Sequence, residues 1–332
     1  MSQAGGVTRV MAGLRPSGDL HLGNYLGALR NMVELQERYA CFFEIADWHM
    51  LTTGYEDTAG LRRAVEDMLL AWLGAGIDPE RAVVFVQSDV PEHAELALLL
   101  GMVTPLSWLE RVPTYKEQLR ELAGREIATY GFLGYPVLQT ADILAYRAEG
   151  VPVGRDQLPH LEIAREIARR FNHLYGPVFP EPQAMLTESP VVPGTDGRKM
   201  SKSYGNTLPL DAPTEEIRGR IRTMVTDPRK VRRHDPGHPE VCPVFALHQA
   251  LADAGAVAEI EAGCRSGELG CVDCKARLTG EVEAVLEPMR ERRSRVREAD
   301  VRDILAAGAG QARAEARETL EETREAMRLW RS

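Results

Sequence analysis

The sequence predicts an α/β fold built on a parallel sheet, followed by a mostly helical C-terminal region. Three observations carry this expectation. The apolar runs Cys41 to Ala46 and Ala82 to Gln87 read as buried strands, and the helical pattern between them, Thr58 to Gly74, gives the rhythm of a βαβ unit. An earlier strand, Thr8 to Met11, enters a turn at Gly13 and Gly18 and then helical spacing at Tyr25, Leu26, Leu29, Met32 and Val33. From Pro243 onward the chain is rich in Ala, Glu and Arg and its pattern is helical.

Taken in chain order, each segment has a place in that scheme. Asp47-Trp48-His49 ends a strand, where parallel sheets carry their ligands. The stretch at about 92–125 has no convincing strand and reads as a helical insertion. Val151 to Val153 is a further strand, followed by Gly154-Arg155-Asp156-Gln157. Pro213 and Glu215-Glu216 open a helix from Thr214 to Val225, which closes before Asp227-Pro228. A last helix is expected from Ala312 to Trp330, with Ala316, Leu320, Met327 and Trp330 on its apolar side. The expected division is 1–213, 214–311 and 312–332. With no repeat and no low-complexity linker, the helical region is expected to pack directly on the sheet.

The 332 residues suffice for a large core, and 44% hydrophobic with 27% charged residues excludes a disordered chain. No apolar run reaches membrane-spanning length: Ala94 to Val103 is too short and contains Glu95. The first residues lack a signal-peptide core, so a cytoplasmic location is expected. A net charge of −9 argues against nonspecific coating of nucleic acid, although Arg229, Lys230, Arg232, Arg233 and the run Arg290, Arg292, Arg293, Arg295, Arg297 are local basic clusters.

Two segments carry the chemistry. Pro16-Ser17-Gly18-Asp19-Leu20-His21-Leu22-Gly23-Asn24 lies at a strand-to-helix turn, where backbone N–H groups suit a phosphate. There His21 adds a donor, and Gly23 admits close approach of a nucleotide. Far downstream, Gly197-Arg198-Lys199-Met200-Ser201-Lys202-Ser203 offers two lysines and two serines in a glycine-flanked loop able to bring ammonium groups to a triphosphate. A third constellation is Tyr135, Gln139 and Asp142, which fall on one face of a helix at offsets of four and three.

In this order the first two segments resemble the paired signatures of class I aminoacyl-tRNA synthetases. Asn24 departs from the commoner second histidine. GNYLGALR (23–30), ADWHMLTT (46–53) and PGTDGRKMSKSYGN (193–206) resemble the tryptophan-specific branch. The resemblance implies a Rossmann-like catalytic domain, a helical anticodon-binding domain, ATP with Mg2+, L-tryptophan and tRNA(Trp) as partners, a homodimer, and neither membrane nor DNA. It implies that Asp142 accepts the indole N–H, that Tyr135 and Gln157 hold the α-amino group, and that Gln139 and His49 line the amino-acid site. Indole offers only a donor, so an acceptor-only carboxylate is a fitting reader. The implied ATP site comprises Arg15, Pro16, Ser17, Gly23, Asn24, Gly154, Arg155, Asp156, Met200, Ser201 and Ser203, with Lys199, Lys202 and His21 acting on the phosphates. Lys116 is a possible third cation, and Gln118 replaces a usual lysine.

Some readings stay open at this stage. Gln139 stands where methionine is common, and Tyr-x3-Gln-x2-Asp also resembles the tyrosine-binding helix of tyrosyl-tRNA synthetases. Tyrosine specificity is therefore one alternative, and a non-catalytic RNA- or protein-binding paralogue is another. Cys242, Cys264, Cys271 and Cys274 form C-x21-C-x6-C-x2-C, which in a cytoplasmic chain points to metal ligation rather than disulfides. Zinc and a [4Fe–4S] cluster both fit; resemblance to an iron–sulfur subset of the branch favours the cluster, near the anticodon end of tRNA. Cys41 reads as core. Leu96 to Leu109 is an apolar candidate for the dimer surface.

Overall fold

A computed structural model describes residues 8–112, 128–186 and 192–330. Five parallel strands, β1 (Arg9–Leu14), β2 (Ala40–Ile45), β3 (Ala82–Val86), β4 (Gly150–Val153) and β5 (Gln183–Leu186), lie in the order β3-β2-β1-β4-β5. Chain order reverses between β1 and β4, so the crevice beyond their carboxyl ends is the natural ligand position. Alternate residues face opposite layers, and both layers are buried. Val10, Cys41, Phe43 and Ile45 join one core; Met11, Phe42 and Phe85 join the other. Double-sided burial is why β3 is an unbroken apolar run and β2 is apolar but for Glu44. Cys41 is core, with burial pushing its thiol up to about 12.

Among the described residues, the helical region shares its core with the sheet and its covering helices. Leu278, Val282, Leu286 and Met289 of the Cys271–Ser294 helix share one apolar cluster with Leu69 and Trp72 of the Leu61–Ala75 helix. Gly74 permits this approach: a Cβ there would stand 3.0 Å from the Met289 carbonyl oxygen. Arg292 Nε donates to the Gly74 carbonyl at 2.7 Å, Arg290 to that of Ala212 at 2.8 Å, and Arg293 pairs with Asp211 at 3.3 Å. Three residues of the second basic cluster therefore tie this helix to the Leu61–Ala75 helix and to Asp211-Ala212, which leaves Arg295 and Arg297 exposed.

Several expected boundaries move. The last helix starts at Glu298, not Ala312, and runs to Ala326. It crosses β3 so closely that a Cβ on Gly308 would lie 1.8 Å from the Val84 carbonyl oxygen. The helix that carries Tyr135, Gln139 and Asp142 spans Tyr130–Leu144, with Pro136 inside it. The insertion is helical in its described part, Glu92–Gly101 and Leu106–Glu110, whereas Lys116 and Gln118 lie outside the described residues. No described helix is long and apolar enough to cross a membrane.

Candidate active site

A cleft of about 280 Å3 opens at the carboxyl ends of β1 and β2, with Val151 of β4 on its wall. It gathers Arg15, His49, Tyr135, Gln139, Asp142 and Gln157, residues from four separate segments of chain. Gly154, Arg155 and Asp156 form the approach to the Arg155–Gln157 turn just after β4; they do not line this cleft.

Asp142, 3% exposed, is the best-connected group. Gln87 Nε2 donates to its Oδ1 at 2.9 Å, His93 Nδ1 lies 2.7 Å from the same oxygen, and His49 Nε2 lies 2.8 Å from Oδ2. Gln87 cannot turn over, because its Oε1 accepts the Trp48 and His49 backbone N–H groups at 3.1 and 3.3 Å. Burial alone would raise the Asp142 pKa, but bonds from His49 and His93 outweigh it and hold the carboxylate well below its usual range. Three of about four acceptor positions on a carboxylate are thus used, and one is left for a ligand donor.

Glu44, His93 and Asp142 bring ligand-type atoms within 4.8 Å of one another; His93 bonds Asp142 directly, while Glu44 Oε2 is buried without a hydrogen-bond partner, 3.6 Å from His93 Nδ1. His93 Nε2 continues the network to the Tyr146 hydroxyl at 2.6 Å. Glu44, 1% exposed, lines the cleft; burial, and next the Asp142 charge, raise its pKa well above the usual carboxylate range. Two neighbouring carboxyls are therefore pushed in opposite directions. Glu44, Gln87 and His93 were not anticipated from sequence. A glutamate inside the apolar run Cys41 to Ala46 was the available signal.

The two signature segments meet. Lys202 Nζ donates to the Ser17 carbonyl oxygen at 2.5 Å, across 185 residues of chain. Leu22 N and Leu210 N bond the Leu208 and Leu20 carbonyls at 2.8 and 3.0 Å, fixing the downstream loop beside the turn. Buried Asn206 organises that loop: its Oδ1 accepts Ser201 N–H at 2.8 Å, and its Nδ2 donates to Asp196 at 2.6 Å and to the Lys199 carbonyl at 3.1 Å. Met200 is buried and anchors the loop in the core, leaving Lys199 and Lys202 outward. Ser201 and Ser203 hydroxyls bond each other at 2.9 Å.

At the turn, Pro16 is buried, and Asn24 Oδ1 accepts the His21 backbone N–H at 3.0 Å. A Cβ on Gly23 would stand 3.0 Å from His21 Nδ1. That nitrogen is buried without a hydrogen-bond partner. Burial, and next the Lys202 charge, lower the His21 pKa to about 4, so the ring is neutral near pH 7.

Elsewhere, Cys242, Cys264, Cys271 and Cys274 line one small pocket where three helix ends converge. Burial, followed by the charges of the other three thiols, pushes Cys274 up to about 12; Cys264 is raised as well. Burial thus disfavours the thiolates of Cys264 and Cys274, a cost that a cation among the four sulfurs would offset, as thiolate ligation of a metal requires. A Cβ on Gly237 would come 2.5 Å from Cys264 Sγ, and His248 Nε2 lies 3.3 Å from Cys274 Sγ. Lys230, expected on the surface, is 7% exposed and donates to the Asp235 carbonyl; Arg229, Arg232 and Arg233 remain outside.

Residues 3–287 match the family model of class I tRNA synthetases for tryptophan and tyrosine. The chain is 51% identical to the tryptophan–tRNA ligase of Thermotoga maritima, covering 97% of this chain and 99% of that one. It is 45% identical to that of Aquifex aeolicus, over 97% of this chain and all of the relative. The crystal structure of tryptophanyl-tRNA synthetase from Campylobacter jejuni, complexed with ADP and tryptophan, superposes with a TM-score of 0.87 at 37% identity, covering 97% of this chain and all of that one.

Proposed function

The chain belongs to the tryptophan–tRNA ligases of the class I tRNA synthetases, and we propose that its cleft activates L-tryptophan with ATP and passes it to tRNA(Trp). The observation that carries the amino-acid assignment is the Asp142 carboxylate, held charged by three donors with one acceptor position remaining. Indole has one donor and no acceptor, so it completes that set. Phenylalanine leaves it incomplete, a mismatch worth roughly 10⁴–10⁵ in discrimination.

A substrate carboxylate oxygen attacks the α-phosphorus of ATP while the bond to pyrophosphate breaks, giving the adenylate. The carboxylate is already nucleophilic, so no protein base is required. Phosphoryl transfer asks chiefly for positioning and charge. Lys202, brought to the turn by Ser17, and exposed Lys199 supply cations to the β- and γ-phosphates. Neutral His21 directs its unpartnered nitrogen to a phosphate oxygen, and Gly23 clears the way. Mg2+ shares the phosphate charge when bound. The terminal tRNA ribose hydroxyl then attacks the adenylate carbonyl and releases AMP.

The four cysteines are proposed to hold a [4Fe–4S] cluster, with structural zinc as the alternative; the mutual repulsion of their thiolates supports a metal. They order the segment bearing Arg229, Arg232 and Arg233 for the tRNA backbone. A homodimer is proposed through the apolar hollow of about 600 Å3 between Trp48, Tyr55, Leu98, Leu106 and Tyr130. Leu98, Met102 and Leu106 project outward there, while Leu96, Leu99 and Leu100 are core. The test is direct: protein, ATP, Mg2+ and labelled L-tryptophan should charge tRNA(Trp). Failure to charge it while the adenylate still forms would reject the transfer step.

A further inference from the structure

Beside the cleft a chain of hydrogen bonds has a fixed direction. Asp156 Oδ2 accepts Gln157 Nε2–H at 2.9 Å. A carboxylate only accepts, so the Gln157 amide is oriented and its Oε1 faces the other way, 2.9 Å from His160 Nδ1. An amide oxygen also only accepts, so Nδ1 carries the imidazole proton. His160 is 5% exposed, and burial lowers its pKa, which keeps the ring neutral. Its Nε2 is then an acceptor and lies 2.6 Å from the Tyr135 hydroxyl. The phenol proton therefore points to His160. The two rings meet edge-on, 5.3 Å between centroids, and sit on separate helices, Tyr130–Leu144 and Leu158–Tyr175.

We propose that His160 is a positioning residue: by taking the Tyr135 phenol proton it makes the hydroxyl face the cleft as an acceptor, and so selects a ligand bearing a protonated α-amino group. An inverted hydroxyl would aim its proton at the ammonium hydrogens and repel them. The inference rests on the reading that the cleft binds an α-amino acid at Tyr135. It also changes the part played by Gln157. One lone pair of its carbonyl oxygen is engaged by His160, so besides lining the cleft Gln157 also acts on the amino group through His160 and Tyr135.

The test compares binding of L-tryptophan with that of indole-3-propionate, which keeps indole and carboxylate but lacks the amine. His160→Phe keeps a ring and removes both nitrogens; His160→Gln supplies an amide oxygen that can take the phenol proton. His160→Phe should weaken L-tryptophan about tenfold and indole-3-propionate less than about twofold, the size of one hydrogen bond to a charged group. His160→Gln should recover most of that loss. In a Tyr135→Phe background His160→Phe should change L-tryptophan binding less than about twofold, since both act on one hydroxyl. Parallel losses for the two ligands, or a full tenfold effect without the Tyr135 hydroxyl, overturn the inference alone. Absence of L-tryptophan binding by the unaltered protein overturns the activity reading as well.

Discussion

Replacing Asp142 by Asn preserves shape and removes the charge, and its cost follows from the contacts. One carboxylate oxygen faces Gln87 Nε2 and His93 Nδ1, and the other faces His49 Nε2. Turned toward Gln87, the new NH2 meets an obligatory donor; turned toward His49, it is accepted only if the imidazole moves its proton to Nδ1. His93 can move its proton away only if the Tyr146 hydroxyl reverses, because the two are bonded at 2.6 Å. Loss of the charged acceptor for the indole N–H costs about 1.5–3 kcal/mol, and a buried donor left facing donors about 1–3 kcal/mol more. Together these lower tryptophan-dependent kcat/KM by roughly 10²- to 10⁴-fold. ATP–pyrophosphate exchange at varied tryptophan measures this, with circular dichroism reporting whether Asp142→Asn is folded. A folded variant within about threefold of the parent would refute the assignment of Asp142 as indole reader.

Three further predictions concern other parts of the molecule. Lys202→Ala should slow single-turnover adenylate formation by about 10²–10³ while changing tryptophan affinity less than twofold, because its charge is needed as pyrophosphate leaves; equal losses in rate and affinity would contradict that role. His21 has a folded pKa of about 4, below its ordinary 6.5, so the unfolded chain takes up a proton that the native protein refuses as pH falls through that window. Stability is lost across it, and His21→Asn should show a smaller fall in Tm between pH 6.5 and 4; an unchanged fall would count against a buried neutral ring. Anaerobically purified protein should contain iron and inorganic sulfide, and Cys274→Ser should weaken tRNA charging more than exchange; stoichiometric zinc without sulfide would reject the cluster.

Sequence periodicity located what periodicity controls. The three strands β1, β2 and β3 and the helix between the latter two were legible because both sheet faces are buried and the runs are predominantly apolar. β5 was missed: Gln183–Leu186 is a four-residue edge strand with neither a continuous apolar run nor clean alternation. The start of the last helix was missed because Gly308 and small alanines, where it crosses β3, dilute the apolar signal. In the site, the helix spacing of Tyr135, Gln139 and Asp142 did place all three on one wall. Groups that act on those residues were hidden, since Gln87, His93 and His160 arrive from other segments and are recognised only by what they touch. His160 left one trace: it stands three residues after Gln157, one helical turn away.

Specificity for tryptophan over tyrosine is the claim on which the account turns, because the matching family holds both tryptophan and tyrosine enzymes. ATP–pyrophosphate exchange by the purified protein, run in parallel with the two amino acids, tests it most directly. Tryptophan should be preferred in kcat/KM by about 10³-fold or more, as a site built around one ionised acceptor requires. Exchange driven as well by tyrosine as by tryptophan would contradict the account.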